Sequence, residues 1–275
     1  MQLTSRFASR SPALRSAYPL TDDEITQVAP SIFAIEPHES RSHRYTCIPT
    51  IEVLRGLRRE GFEAFFVCQT RVRDDSRRTF TKHMLRLRHA DQINGREANE
   101  IVLLNAHDGT SSYQMLAGMF RFVCQNGVVC GDVDSDIRVP HKGDVVGQVI
   151  EGAFTVLDTF EKTTEQRETM KALPLSTGEQ TAFARAALAL KYDNNETGAP
   201  ITEDQLLVPR RFEDRGVDLW TTFNRVQENI TKGGLHGRNR AGRPTTTRAV
   251  AGIDQSVKLN RALWVLANEL RRLRA

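Results

Sequence analysis

The sequence predicts an α+β fold: an N-terminal helix–three-stranded antiparallel sheet–helix core, followed by a mainly helical C-terminal half. Three observations carry this. Phe62 to Val72 and Phe80 to His89 alternate apolar and polar residues, with Asp74-Asp75-Ser76 as turn chemistry between them. Glu100 to Asn105 (EIVLLN) is a continuous apolar run of strand length, as in a strand buried on both faces. From Asp144 onward apolar residues recur at helical spacing. The expected division is a basic arm and extended segment over 1–44, an α+β core over 45–143 and a helical region over 144–275.

The elements follow in order. Residues 1–20 carry Arg6, Arg10 and Arg15 with no acid and read as a mobile basic arm, loosely like a transit peptide. Asp22-Asp23-Glu24 starts a short polar helix or turn, and Pro30 and Pro37 punctuate an extended stretch. Ile48-Pro49-Thr50 opens a helix bearing Ile51, Leu54 and Leu57, which Gly61 ends. The three strands follow, with Asn94-Gly95 as the turn before the third. Ser111 or Ser112 is placed to cap a helix from Tyr113 to about Cys124, which Asn126-Gly127 stops. Short strands are expected at Val128–Cys130 and Ile137–Val139. Helices are expected over 144–171, 179–192, 218–230 and 254–273, and 232–252 is expected to be a long Gly/Arg-rich loop. Leu259, Leu263, Leu266, Leu270 and Leu273 form a heptad-like stripe, read mainly as a core face.

Composition limits the function classes. The chain has 275 residues, with 38 lysines and arginines against 34 acids and a net charge of +4. Only seven of the 38 cations are lysines, so the basic character is guanidinium. No apolar run is long enough for a membrane helix, so no membrane association is expected. Cys47, Cys68, Cys124 and Cys130 lack redox or zinc spacing and read as buried thiols in a reducing cytoplasm.

The first two strands allow a register argument. An odd sum of opposed residue numbers puts Phe62, Ala64, Phe66, Cys68 and Val72 with His83, Leu85 and Leu87 on an apolar face. The opposite face then carries Arg71, Arg73, Arg78, Lys82, Arg86 and Arg88 among Phe65, Val67, Phe80 and Met84. An even sum sets Arg86 and Arg88 beside Phe66 and is disfavoured where one face must be buried. Cations that track phosphates and apolar groups that receive bases together suit single-stranded nucleic acid. A solvated strand face balanced by Asp74 and Asp75 is the plainer alternative. The acid-free loop adds Lys232, Arg238, Arg240, Arg243 and Arg248, which suit either phosphate contact or a linker.

Catalytic motifs are sparse. Phosphate loops, dinucleotide fingerprints, nucleophile elbows and zinc-protease helices are all missing. His107-Asp108, with Asp132, Asp134, Asp136 and His141, sketches a metal-dependent nuclease. The acidic run lacks the glycine and distal glutamate of a calcium loop, and Asp108-Gly109 is also good turn chemistry. His83 and His89 fall on the apolar strand face and read as core or edge histidines. No catalytic residue, metal or cofactor is therefore expected.

Three blocks carry a resemblance: FTKHMLRLRH at 80–89, NAHDGTSSYQMLAGMFRFVCQNG at 105–127 and VCGD at 129–132. Over roughly residues 45–270 the chain resembles the phage/plasmid-like family of unknown function (domain of unknown function 932). That resemblance implies residence on plasmids or prophages and supplies no activity or site residues. The helix, three strands and helix over 49–124 are also similar to the core of single-strand annealing proteins of the RecT and Rad type. That likeness implies an oligomer holding single-stranded DNA without metal or nucleotide. The expectation is a non-enzymatic, cytoplasmic, homo-oligomeric single-stranded DNA-binding protein of a mobile element. The alternatives are the nuclease and an accessory or anti-defence factor contacting an unidentified host protein.

Overall fold

A computed structural model describes residues 12–36, 48–72, 75–89, 93–94, 97–108, 111–122, 126–131, 136–192 and 198–274. Cys47, Arg73, Cys124, Asp132 and Asp134 lie outside these residues. The chain divides into two compact units, Met1–Phe160 with Ala251–Ile253, and Glu161–Val250 with Asp254–Ala275.

The first unit is built on one antiparallel sheet. Its strands are β1 (Ala13–Arg15), β2 (Phe62–Gln69), β3 (His83–His89), β4 (Ile93–Asn94), β5 (Glu97–Asn105), β6 (Tyr113–Arg121), β7 (Asn126–Val129) and β8 (Ile137–Val139). The order across the sheet is β1-β2-β3-β5-β6-β7, with β4 beside β5 and β8 beside β6. Every residue of β5 is buried, as its unbroken apolar run predicts. The sheet is curled into a half-barrel. Arg15 on β1 lies over the ring of Phe120 on β6, although three strands separate β1 from β6.

Helices cover the convex face. Thr21 caps α1 (Asp22–Val28) through a capping box with Glu24. Pro49 precedes α2 (Thr50–Arg59), and Gly61, at φ +86°, makes the left-handed turn into β2. α3 (Val145–Ala172) begins in this unit, with Gly56 of α2 against its Ile150 and Val146. Phe154 of α3 meets Phe62 edge to face.

Residues 12–20, expected in the mobile basic arm, are folded here, and the short polar helix expected at Asp22 is α1. β1 pairs with β2, and Leu20, Ile25 and Ile32 are buried.

Two further expectations change. The helix expected from Tyr113 to Cys124 is instead strand β6. Both faces of this strand are covered, so its apolar positions carry no period-two signal, and a short apolar run reads equally well as a helix. The register of β2 and β3 is neither odd nor even throughout. Phe62, Ala64 and their partners pair with an odd sum, and Phe66 to Gln69 with an even one. The shift is a bulge at Phe65. It brings Phe66 opposite Arg86, so Phe66 joins the arginine face instead of the helix-covered face. A single odd register is favoured only where one face is buried; here both are.

In the second unit α6 (Leu219–Lys232) is central, capped by Asp218 and buried from Leu219 to Ile230. Around it lie α4 (Thr177–Tyr192), α5 (Glu203–Leu206) and α7 (Ile253–Leu273). Trp220 stacks on Phe223, and Trp264 of α7 meets both edge to face. The leucine stripe on α7 is buried only at Leu259 and Leu263, and Leu273 is exposed. The expected loop over 232–252 contains a hairpin, β9 (His236–Arg238) and β10 (Pro244–Thr246). Asn239 closes its turn by accepting from the backbone of Ala241 and Arg243.

Gly118 lies where β5, β6 and β7 crowd. A Cβ there would stand 2.9 Å from Val102 Cγ2 and 3.1 Å from the Val128 carbonyl. Overpacking of this kind costs about 1–3 kcal/mol. Gly118→Ala should lower the urea midpoint with an unchanged slope; an unaltered midpoint would show that the sheet yields at no cost.

Candidate functional site

The cations predicted to share one hairpin face separate into two sets. β2 ends at Gln69 and β3 begins at His83, so Arg71, Arg78 and Lys82 lie on the connection between them. Arg71 and Arg78 are exposed and Lys82 is half-buried. Arg86 and Arg88 are on β3 itself and are 4% and 2% exposed. They lie on the concave face, and their partner is Glu100 of β5, which is fully buried.

Glu100 divides its oxygens between the two arginines. Arg86 Nη1 donates to Oε2 at 3.1 Å, and Arg88 Nε donates to Oε1 at 2.9 Å. Arg86 also donates to the Val128 carbonyl at 3.3 Å. A Cβ on Gly127 would collide with the Arg86 guanidinium, so the glycine makes room for it.

Aromatic rings pack around the guanidiniums on this face. The Arg88 guanidinium lies 4.3 Å from the ring centre of Phe65, 4.5 Å from Phe120 and 5.1 Å from Phe122. Arg15 sits 4.7 Å from both Phe66 and Phe120. Flat guanidiniums stack on ring faces, which supply electrostatic attraction as well as apolar cover. Burial pulls the Arg88 guanidinium below its ordinary pKa against the opposing pull of Glu100. Burial, with Arg86 and Arg88 nearby, brings Arg15 down to about 10 even though Glu100 acts the other way.

The remaining sequence-predicted cations are in the second unit. Arg238, Arg240, Arg243 and Arg248 are exposed on or beside the β9–β10 hairpin, and Arg238 Nη1 donates to the Gly242 carbonyl. Lys232 differs: its Nζ is 2.7 Å from Glu228, which also holds Arg211. Both pairs hold the Glu228 carboxyl below its usual range against the effect of burial.

His83, His107 and His141 gather at one end of the sheet, beside its helix-covered face. Thr50, the first residue of α2, is the hub. Its Oγ1 lies 2.9 Å from His83 Nε2, 3.2 Å from His107 Nε2 and 3.0 Å from Asn105 Nδ2. The partners dictate the protons. His83 Nδ1 faces the Thr81 carbonyl and Ser31 Oγ, and Ser31 donates to Gln69, so Nδ1 carries the hydrogen. Thr50 therefore donates to His83 Nε2. It accepts from Asn105, and its remaining lone pair accepts from His107 Nε2–H. Tyr113 donates to the Ile48 carbonyl, and His141 Nε2 meets Asn105 Oδ1 at 2.9 Å.

This network fastens the start of α2 to β3, β5 and β6. His83 and His107 are sealed from solvent. Burial drives the His83 pKa well below its ordinary value and brings His107 down to about 4, with His141 acting the same way in each case.

The His107-Asp108 pair thus splits. The His107 ring is inside the network, and Asp108 is half-buried. Among the described residues, no three His, Cys, Asp or Glu side chains are grouped to hold a metal ion. His89 is an edge histidine, with Nε2 at the Glu60 carbonyl and its ring against Phe62. Cys68 and Cys130 are buried free thiols, and burial pushes Cys68 up to about 12. Sequence reasoning missed Arg15 and Glu100 as parts of the arginine cluster. The findable signal was Glu100, an acid immediately before the apolar run of Ile101 to Leu104.

Two outcomes follow. Glu100→Gln leaves buried guanidiniums without a counter-charge, and breaking such a pair costs about 3–5 kcal/mol; chemical denaturation should show the loss, and near-native stability would remove Glu100 from this role. His83 and His107 both have folded pKa values below the roughly 6.5 of an unfolded imidazole. The unfolded chain therefore takes up protons first, and their stabilisation is intact above that pH. It falls as pH drops from there to about 4 for His107 and lower for His83. Each imidazole withdraws about 1.4 kcal/mol per pH unit. A denaturation series over that window should slope downward, and less steeply in His107→Gln.

Among the described residues no helix is long and apolar enough to cross a membrane. No solved structure matches the chain. The chain is 58% identical over 269 residues to UPF0380 protein YfjQ of Escherichia coli (strain K12), covering 98% of this chain and 97% of that one. It is 57% identical, with the same coverage, to UPF0380 protein YafZ of the same organism. A family profile described as "Domain of unknown function (DUF932)" spans residues 37–264, from before α2 into α7 and across both the arginine-filled half-barrel and the histidine network, and the chain belongs to that family.

Proposed function

We propose that this chain is a non-enzymatic single-stranded DNA-binding protein of a plasmid or phage, of the annealing or recombination type. It acts in the cytoplasm as a homo-oligomer. The observation that carries this reading is the β9–β10 hairpin. It presents Arg238, Arg240 and Arg243 exposed, with Arg248 close in sequence, in a stretch without a single carboxylate from Lys232 to Gly252. A twisted two-stranded ribbon of exposed guanidiniums suits a phosphate backbone, because each fork pairs with a phosphate and is indifferent to base identity.

Arg71 and Arg78 on the β2–β3 connection form a second exposed basic surface. Arg86 and Arg88, engaged with Glu100, support the sheet and do not count toward the outer surface. The nuclease alternative gains no support from His107, whose imidazole hydrogen is committed to Thr50.

Fluorescence anisotropy with labelled single- and double-stranded oligonucleotides over a salt series tests the reading. Affinity should favour the single strand and fall steeply with salt, as counterion release requires. Arg238→Glu combined with Arg240→Glu and Arg243→Glu should weaken binding at least tenfold for every sequence and flatten the salt dependence. Absence of binding at low salt sinks the proposal, and unchanged affinity in the triple variant removes the hairpin from the site.

A further inference from the structure

The half-barrel interior holds more positive charge than it answers. Arg15, Arg86 and Arg88 line its concave face, and among the described residues Glu100 is the one carboxylate paired with them. The two oxygens of Glu100 are already divided between Arg86 and Arg88. No carboxylate among the described residues forms a salt bridge with Arg15. Its Nη1 is sealed from solvent with no hydrogen-bond partner among the described residues. A guanidinium does not neutralise itself by losing its proton at ordinary pH, and a buried cation without a counter-charge is costly.

The surroundings narrow what relieves it. Arg15 and Arg88 both pack on Phe120, which joins the two cations through one ring. Arg15 itself and Phe66 and Phe122, which lie against these guanidiniums, are only partly buried, so this end of the face reaches solvent. Arg15 belongs to a three-residue edge strand paired only with β2 in the sheet. An oxyanion arriving there meets the planar fork of Arg15, a second cation across Phe120 and aromatic faces beside both.

We propose that the open end of the half-barrel is an oxyanion site, with Arg15 as the residue that binds a phosphate group and Arg86 and Arg88 as the fixed field behind it. This site is separate from the β9–β10 hairpin and does not depend on it. The phosphate is free phosphate, the terminal phosphate of a nucleotide or an internal phosphodiester, three sources with the same chemistry at Arg15. Aromatic rings at the rim favour the nucleotide over the free ion, because a base adds stacking.

The full chain, in a phosphate-free buffer of fixed ionic strength, is titrated calorimetrically with inorganic phosphate, with a deoxynucleoside 5′-monophosphate and with a dinucleotide carrying only its internal phosphate. At least one should bind, with a parallel rise in Tm. The tighter of the last two tells a strand end from a strand interior. Arg15→Gln should weaken binding at least tenfold, and Arg15→Lys, which keeps the charge and loses the fork, should fall between. If Arg15→Gln fails to fold, Arg15→Lys alone decides, and wild-type affinity in it overturns the proposal. No binding by any of the three ligands, or undiminished binding in Arg15→Gln, also overturns it. The variant altered at Arg238, Arg240 and Arg243 should keep its phosphate binding, so failure of the hairpin reading and failure of this one are told apart.

Discussion

A buried carboxylate between two guanidiniums organises the first unit. Glu100 sits at the centre of β5, and Arg86 and Arg88 approach it from β3. A charge in that position is tolerable only if its partners are fixed. Much of the neighbouring geometry serves that requirement. The bulge at Phe65 brings Phe66 opposite Arg86, while Phe65 covers Arg88. Gly127 leaves space for the Arg86 head, and Gly118 lets β6 lie close to Glu100 and β7. The curl of the sheet carries Phe120 over Arg88 and under Arg15. Polar groups in a covered face thus impose one register where an apolar filling would tolerate several.

The sequence was most informative where a single physical demand acts on a segment. EIVLLN is buried on both sides and reads as a buried strand. α2, α4, α6 and α7 carry periodic apolar positions and fall close to their expected bounds. Reading fails where two demands coincide. β6 is covered on both faces, so helix and strand leave the same apolar pattern. β1 is three residues long and is held by the partner strand, which no local pattern records. The bulge is invisible because one residue changes the face of every residue after it. For the candidate site, the exposure of Arg238, Arg240 and Arg243 was legible from an acid-free, glycine-rich stretch. The burial of Arg86 and Arg88 was not, because it depends on an acid two strands later in the chain.

The blocks that carried the family resemblance now have a physical content. Asn105, His107 and Tyr113 lie around Thr50 at the start of α2. Gly118, Phe120, Phe122 and Gly127 line or admit the arginine cluster. A histidine beside an aspartate invites a catalytic reading, yet here the histidine is a donor inside a buried network. Exposed guanidiniums lie elsewhere, on the β9–β10 hairpin and the β2–β3 connection.

The short first strand has a consequence for colloidal behaviour. β2 contains FEAFFVC, a run with strong sheet preference and one charge, and its outer side is an array of backbone donors and acceptors. β1 occupies that side, with Leu14 opposite Val67 and Pro12 accepting from Gln69. Three residues and a proline are too short and too interrupted to recruit a further strand in turn. Among the described residues the segment therefore acts as a terminator: it satisfies the edge of an aggregation-prone strand and leaves only a short, proline-flanked edge, which opposes growth of a sheet between molecules.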